Sequence, residues 1–277
     1  MQIPKRRLGK TGEKVSILGL GGEGVLRTEG RAEEAGVLIN LAIDLGINYF
    51  DCARAYLGSE SYYGSALGER RDEIFLAGKS HARTRSGALN HLDLTLRNLK
   101  TDYLDLWQVH DVQTQDDVER IFSAGGAVEA FVEARDEGRV RFIGITGHLN
   151  PEVILDCIER FDFDTVLLPI NPAEPVYKSF LDDVLPVADK KGLGLIGMKV
   201  YLKGFVKEIP GFQSFEPYFR YALTPPISTA IIGCDTVAQL EENVEFAGAF
   251  EPLSKEEMSV LVDQVFPYSR RLMYYKA

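Results

Sequence analysis

The sequence predicts an α/β chain folded as a closed parallel (β/α)8 TIM barrel, with an N-terminal β-hairpin ahead of it and a C-terminal extra helix and tail behind. Two observations carry that reading: stretches with strand patterning alternate with helical stretches through eight cycles, and no linker or low-complexity tract separates them. Length agrees, since 277 residues suit one barrel of roughly 250 residues plus additions. A single domain over residues 1–277 is expected. Strands joined in order through helices must run parallel, because only a long crossover returns the chain to the same end of the sheet.

The elements follow in order. In Arg6-Arg7-Leu8-Gly9-Lys10-Thr11-Gly12-Glu13-Lys14-Val15 two glycines lie between short strand-like runs, the pattern of a hairpin. Strand one, residues 15–22, ends in Gly21 and Gly22, which permit close backbone approach or simply mark a turn. Apolar residues at helical spacing over 32–45 are closed by Gly46 at the position just past the helix. In strand two, residues 47–51, a period of two sets Ile47, Tyr49 and Asp51 on one face, so a carboxylate stands at the strand end. A helix near 59–67 leads to strand three, 73–78, and to a helix over 86–99 carrying Leu89, Leu92, Leu96 and Leu99. Strand four is 103–109, and the helical segment 116–137 has a break at Gly125-Gly126. Strand five, 140–145, precedes a helix that opens on Pro151 and reaches 160. Strand six is 165–168, a helix lies near 178–191, strand seven is 193–198, and 211–223 is partly helical. Strand eight, 228–232, runs into a helix over 236–247. Ser254-Lys255-Glu256-Glu257 caps one more helix, and 267–277 is an aromatic tail expected to pack on the barrel.

Composition narrows the functional classes. The chain is 45% hydrophobic and 26% charged, which is the balance of a globular protein. A formal net charge of −10 argues against a nucleic-acid or anionic-membrane surface, either of which needs clustered Lys and Arg. Cys52, Cys157 and Cys234 are widely spaced and odd in number, so neither a disulfide framework nor a zinc or iron–sulfur motif is visible. A reducing cytoplasmic location is expected. No apolar run long enough for a signal peptide or membrane span follows the basic N-terminus.

In a barrel of this kind the chemistry sits at the C-terminal ends of the strands. Strand two delivers Asp51 there, strand three delivers Lys79 on the face of Phe75 and Ala77, and strand four delivers His110 on the face of Leu104, Leu106 and Gln108. Phe50-Asp51-Cys52-Ala53-Arg54-Ala55-Tyr56, followed by Gly58-Ser59-Glu60 and Gly64-Ser65-Ala66-Leu67, resembles the signature of the aldo-keto reductase superfamily. The resemblance implies a catalytic tetrad of Asp51, Tyr56, Lys79 and His110, and a hairpin that plugs the bottom of the barrel. It implies an oxidoreductase that moves hydride between a nicotinamide cofactor and an aldehyde or ketone. The chemistry of the four groups is consistent with that. A phenol, with a pKa of about 10, is a poor acid at neutral pH unless a cation stabilises its phenolate. Lys79 would supply the charge, Asp51 would keep Lys79 protonated, and His110 would orient the carbonyl oxygen.

The resemblance also points to the cofactor side. The segment from Gly233, Cys234 and Asp235 to Gln239, Glu242 and Asn243 is similar to the family's adenosine-phosphate segment, at a helix N-terminus that suits a phosphate. Thr236 and Gln239 also fit an ordinary capping box. Gly21, Gly22, Asp51, Thr146, Asn171, Met198 and Lys199 complete the expected cofactor-binding set, with Lys203 as a further cation. NADP is the expected cofactor; NAD stays open, because no Arg or Lys follows strand eight and Asp235 would repel a 2′-phosphate. Three positions depart from the family pattern. Thr146-Gly147-His148 replaces Ser-Asn or Ser-Arg after strand five, Leu167 stands where a Gln binds the carboxamide, and Met198 takes the place of the stacking aromatic.

Other readings use the same barrel. His81, His110 and His148 with Asp51 could ligate a divalent metal for hydrolysis, although no strand-one His-x-His pair is present and Lys79 would intrude. The altered nicotinamide pocket fits a cofactor-binding regulatory subunit with little turnover. A Schiff-base role for Lys79 is opposed by the adjacent Asp51. The expected partner is a small-molecule carbonyl substrate, which Arg54, Leu57, His81, Trp107 and Tyr201 could surround. Oligomeric state is not legible.

Overall fold

In the computed structural model, which describes residues 2–276, β1 (Lys5–Arg7) and β2 (Lys14–Ser16) pair antiparallel as the predicted hairpin. The barrel strands are β3 (Leu18–Gly24), β4 (Tyr49–Asp51), β5 (Phe75–Ser80), β6 (Leu104–Val109), β7 (Val140–Thr146), β8 (Thr165–Pro169), β9 (Gly194–Met198) and β10 (Thr229–Cys234). They pair in parallel in chain order, and β10 closes on β3.

The crossovers are α1 (Ala32–Asp44), α2 (Ser59–Ala66), α3 (Arg85–Leu99), α4 (Gln115–Phe122), α5 (Ala127–Asp136), α6 (Pro151–Arg160), α7 (Phe180–Asp183), α8 (Leu185–Lys190), α9 (Glu216–Leu223) and α10 (Val237–Gly248). Then come α11 (Lys255–Val265) and α12 (Ser269–Leu272). Local chemistry explains the boundaries. Gly46 adopts φ +91°, its N–H bonds to the carbonyl of Ile43 and that of Ile47 bonds to Ala42, so the last turn of α1 is satisfied as the chain leaves for β4. The expected break at Gly125-Gly126 separates α4 from α5. The helix expected near 178–191 is two short pieces, because Pro186 sits in the first turn of α8 and cannot donate into a continuous helix.

Alternation along the strands builds two cores. Tyr49, Phe75, Ala77, Leu106, Leu167 and Ile196 fill the barrel interior, and Leu8 and Val15 of the hairpin join them from the N-terminal end. Lys10 of the hairpin turn donates its N–H to Gly192, and Ser228 Oγ donates to the carbonyl of Arg7. The hairpin therefore plugs the bottom of the barrel. Outward residues of the same strands pack under the helices. Trp107, one of the candidates for the pocket, belongs to this outer set: it is buried and stacked on Phe131 of α5 at 3.7 Å between ring centroids. The reason is parity, since its neighbours Leu106 and Gln108 face inward.

A smaller core at the C-terminal side joins Leu202 and Val206, beyond β9, to Val265, Leu272, Met273 and Tyr275. It fastens the aromatic tail against the barrel mouth, as expected. Among the described residues no helix is long and apolar enough to cross a membrane. Truncating the plug by Leu8→Ala removes a fully buried side chain and is expected to cost about 2–5 kcal/mol, read as a lower urea midpoint at unchanged slope.

Candidate active site

Register carries three ionisable groups to one rim. Asp51 lies opposite Ala77, Ala77 opposite Leu106, and Lys79 opposite Gln108. Asp51, Lys79 and Gln108 all point inward, and His110 follows one step beyond the end of β6. Lys79 leans back across the rim. Its ammonium donates to Asp51 Oδ1 and, at 2.9 Å, to the carbonyl of Cys52, while Gln108 donates to Asp51 Oδ2 at 3.3 Å. Lys79 and Asp51 are each 1% exposed at the side chain.

Tyr56 closes over this pair. After β4 the chain turns, Tyr56 donating its N–H to Ala53, and the ring comes to lie with Lys79 Nζ 4.9 Å from its centroid. The guanidinium of Arg27 stands 4.9 Å from the same centroid, and the His110 ring meets it edge-on at 5.8 Å. Gly22 makes room for this. A Cβ there would fall 2.7 Å from the Asp51 carbonyl and 2.9 Å from Tyr56 Cδ2, so the residue is a close-approach glycine and not merely a turn.

The electrostatics are those of a cation buried beneath a phenol. Burial alone would strip the proton from Lys79, but Asp51 and then Tyr56 outweigh it and hold its pKa above the ordinary value. Burial raises Tyr56, and the Lys79 charge works against that rise. Burial, then the charge of Lys79, pushes His110 well below its usual range, so its ring is neutral at neutral pH. His110 Nδ1 is buried and has no hydrogen-bond partner among the described residues.

Beside these groups a cleft of about 440 Å3 opens along the rim from β3 to α10. It is lined by Gly21, Gly22, Asp51, Tyr56, Met198, Lys199, Gly233, Asp235, Gln239, Glu242 and Asn243. Several expected cofactor residues are already engaged. Thr146 Oγ1 accepts the N–H of Asp111 at 2.8 Å. Asn171 donates to Tyr275 Oη at 3.0 Å and to the Lys199 carbonyl at 3.3 Å, and accepts the N–H of Ala173. Thr236 Oγ1 accepts the N–H of Gln239 and so caps α10, but the Gln239 side chain accepts the N–H of Asp235 rather than that of Thr236, so the expected capping box is only half formed. Asn243 accepts from Tyr201 Oη at 2.7 Å and donates to Cys234 Sγ. Lys79, Thr146, Asn171 and Cys234 are buried behind the cleft surface, and half-buried His110 lies beside it, next to Tyr56.

Of the candidates for the substrate pocket, Tyr201 lines the cleft, whereas Arg54 is drawn away to buried Glu60 and His81 packs on His91. Residues that the sequence reading missed are Glu23, Lys207, Phe215 and Tyr274, all on the cleft wall. Glu23 directly follows the predicted glycines, which is the signal that could have found it. The three rim histidines do not converge. His81 faces His91, His110 faces Tyr56, and His148 Nε2 lies 3.1 Å from Asp111. Among the described residues no three His, Cys, Asp or Glu side chains are grouped to hold a metal ion.

The sequence profile of the aldo/keto reductase family matches residues 17–214. The chain belongs to that family. It is an enzyme of the NAD(P)H-dependent aldo-keto reductase kind. It is 25% identical to the uncharacterized oxidoreductase YqkF of Bacillus subtilis (strain 168), over 93% of this chain and 95% of the relative. L-galactose dehydrogenase of Arabidopsis thaliana is 28% identical, over 92% of each chain. In fold it is similar to a Bacillus halodurans aldo-keto reductase in its holo form, with a TM-score of 0.80 at 23% identity, over 95% of this chain and 96% of that one. A Klebsiella pneumoniae aldo-keto reductase solved with NADPH gives a TM-score of 0.77 at 21% identity, over 96% of both chains.

The buried pair at this aldo-keto reductase rim makes a stability prediction. Removing one charge alone, by Asp51→Ala or Lys79→Met, leaves the other stranded and is expected to cost about 3–5 kcal/mol. The double variant should recover much of that loss in a urea-denaturation cycle; additive losses would show that the two charges are not coupled.

Proposed function

We propose that this aldo-keto reductase reduces a small aldehyde or ketone with NADPH in preference to NADH. Tyr56 is the proton donor, assisted by Lys79, Asp51 and His110. The observation that carries the reading is the buried Asp51–Lys79 pair directly beneath the Tyr56 ring.

The cofactor's fit is supported by the cleft itself, which is edged by Gly22 where any side chain would collide, and lined in part by Lys199, Lys203 and Lys207. These lysines would meet the phosphates, and they offset Glu23, Asp235 and Glu242 in the same lining. The preference for NADPH rests on this set of cations, on the family and on the Klebsiella pneumoniae relative solved with NADPH. When bound, the dinucleotide supplies the hydride. Small carbonyl or hydroxyl compounds appear in the names of relatives, including pyridoxal 4-dehydrogenase and methylglyoxal reductase. The three cysteines are free and buried, which suits a reducing compartment.

The protein's own groups divide the work. Lys79, kept protonated by Asp51, stabilises negative charge on Tyr56 Oη as the phenolic proton passes to the substrate oxygen. Neutral His110 can donate one hydrogen bond to that oxygen and orient it. Gln108 fixes the Asp51 carboxylate from the side away from Lys79. A second reading, a dinucleotide-binding subunit with little turnover, is favoured by one observation: the Asn171 side chain is committed to the tail and to the Lys199 carbonyl.

Tyr56→Phe is expected to abolish carbonyl reduction while leaving NADPH affinity within about twofold, since only the acidic proton is lost. Undiminished turnover would remove Tyr56 from its role, and an inactive wild type that still binds NADPH would favour the second reading. Asp51→Asn takes away the main influence that raises Lys79, so burial then lowers its pKa. The alkaline limb of the pH–rate profile should therefore move to lower pH, and a profile superimposable on wild type would break the proposed pairing. Parallel titrations with NADPH and NADH test the preference, which equal affinities would refute.

A further inference from the structure

A segment that these steps do not use crosses the barrel mouth. After α12, Tyr274–Lys276 form a last 3-10 turn. Lys276 Nζ donates to Glu174 Oε2 at 2.7 Å and to the carbonyls of Tyr177 and Lys178 at 2.9 and 2.8 Å, so all three ammonium protons are used. Tyr275 Oη donates to Glu174 Oε1 at 2.7 Å and accepts from Asn171. The side chains of Lys276 and Glu174 are 1% and 0% exposed. A buried ion pair with its hydrogen bonds satisfied is hard to open from one side, so the tail is clasped in place.

The clasp delivers Tyr274 into the cleft lining, together with Glu23, Tyr56, Met198 and Lys199. Its ring is fixed by Lys203 Nζ at 4.6 Å, Lys199 Nζ at 5.5 Å and the edge-on rings of Phe205 and Tyr275. Tyr201 stacks on Phe215 and donates to Asn243. Tyr56 and Tyr274 each have two cations near the ring, but Tyr56 is the proton donor of the proposed reaction, which leaves Tyr274 as the cleft aromatic without a chemical role. The strand end itself offers only the thioether of Met198. Asn171, fully buried beneath the tail, has both amide protons and one lone pair committed within the chain, so it holds the tail rather than facing the cleft.

We propose that Tyr274 is the wall against which the nicotinamide half of the dinucleotide packs, and that the Glu174–Lys276 clasp sets its position. This rests on the reading of the cleft as a dinucleotide site. On that reading the adenosine half lies toward α10, so the two halves can be tested separately.

The experiment is calorimetric titration of the 277-residue chain with NADPH and with 2′-phospho-ADP-ribose, which lacks the nicotinamide. Tyr274→Ala is expected to weaken NADPH about tenfold and to leave 2′-phospho-ADP-ribose within about twofold. Tyr274→Phe should restore NADPH affinity, because it keeps the ring. Lys276→Met should behave as Tyr274→Ala does, with a melting curve to establish that the chain is folded. Unchanged NADPH affinity in Tyr274→Ala, or an equal loss for both ligands, overturns the role of Tyr274. Unchanged affinity in folded Lys276→Met overturns the clasp. Binding of neither ligand by the wild type overturns the dinucleotide reading itself, and this proposal with it.

Discussion

A charge pair withdrawn from water, Asp51 with Lys79, is the constraint on which the rim depends. Two groups this well shielded are tolerated only because each has partners beyond the other: the Cys52 carbonyl for the ammonium and Gln108 for the carboxylate. Those partners are held by the pairing of β4, β5 and β6, so the arrangement is as rigid as the barrel wall. Tyr56 inherits that rigidity. Its ring rests over the ammonium, with the close-approach glycine of β3 behind it and neutral His110 at its edge.

The cleft is mixed in charge, although the chain as a whole is strongly acidic. Lys199, Lys203 and Lys207 share its lining with Glu23, Asp235 and Glu242. Local sign, not net charge, decides what a cleft of this size attracts. The tail adds a different element, an aromatic wall that depends on one buried carboxylate, Glu174, lying before α7 and far from the tail in sequence.

Much of this was legible from residue order. The cycles, the hairpin, the stop at Gly46, the break at Gly125-Gly126 and the three strand-end groups all follow from local periodicity and turn chemistry, which act over a few residues. Register then made Asp51, Lys79 and His110 neighbours, as the shared inward face of successive strands requires. What stayed hidden depends on contacts distant in sequence. Nothing local announces that Lys276 meets Glu174, that Asn171 is taken by Tyr275, or that Tyr274 faces the cleft. Trp107, one of several candidates for the pocket, falls outside it because it sits one residue out of phase with the inward set of β6.

That phase has a practical consequence. The chain has one Trp, and it is sandwiched against Phe131 in the seam between β6 and α5. Its intrinsic emission is thus a gauge of whether that helix is seated on the staves, shielded by a strand's thickness from the chemistry at the rim.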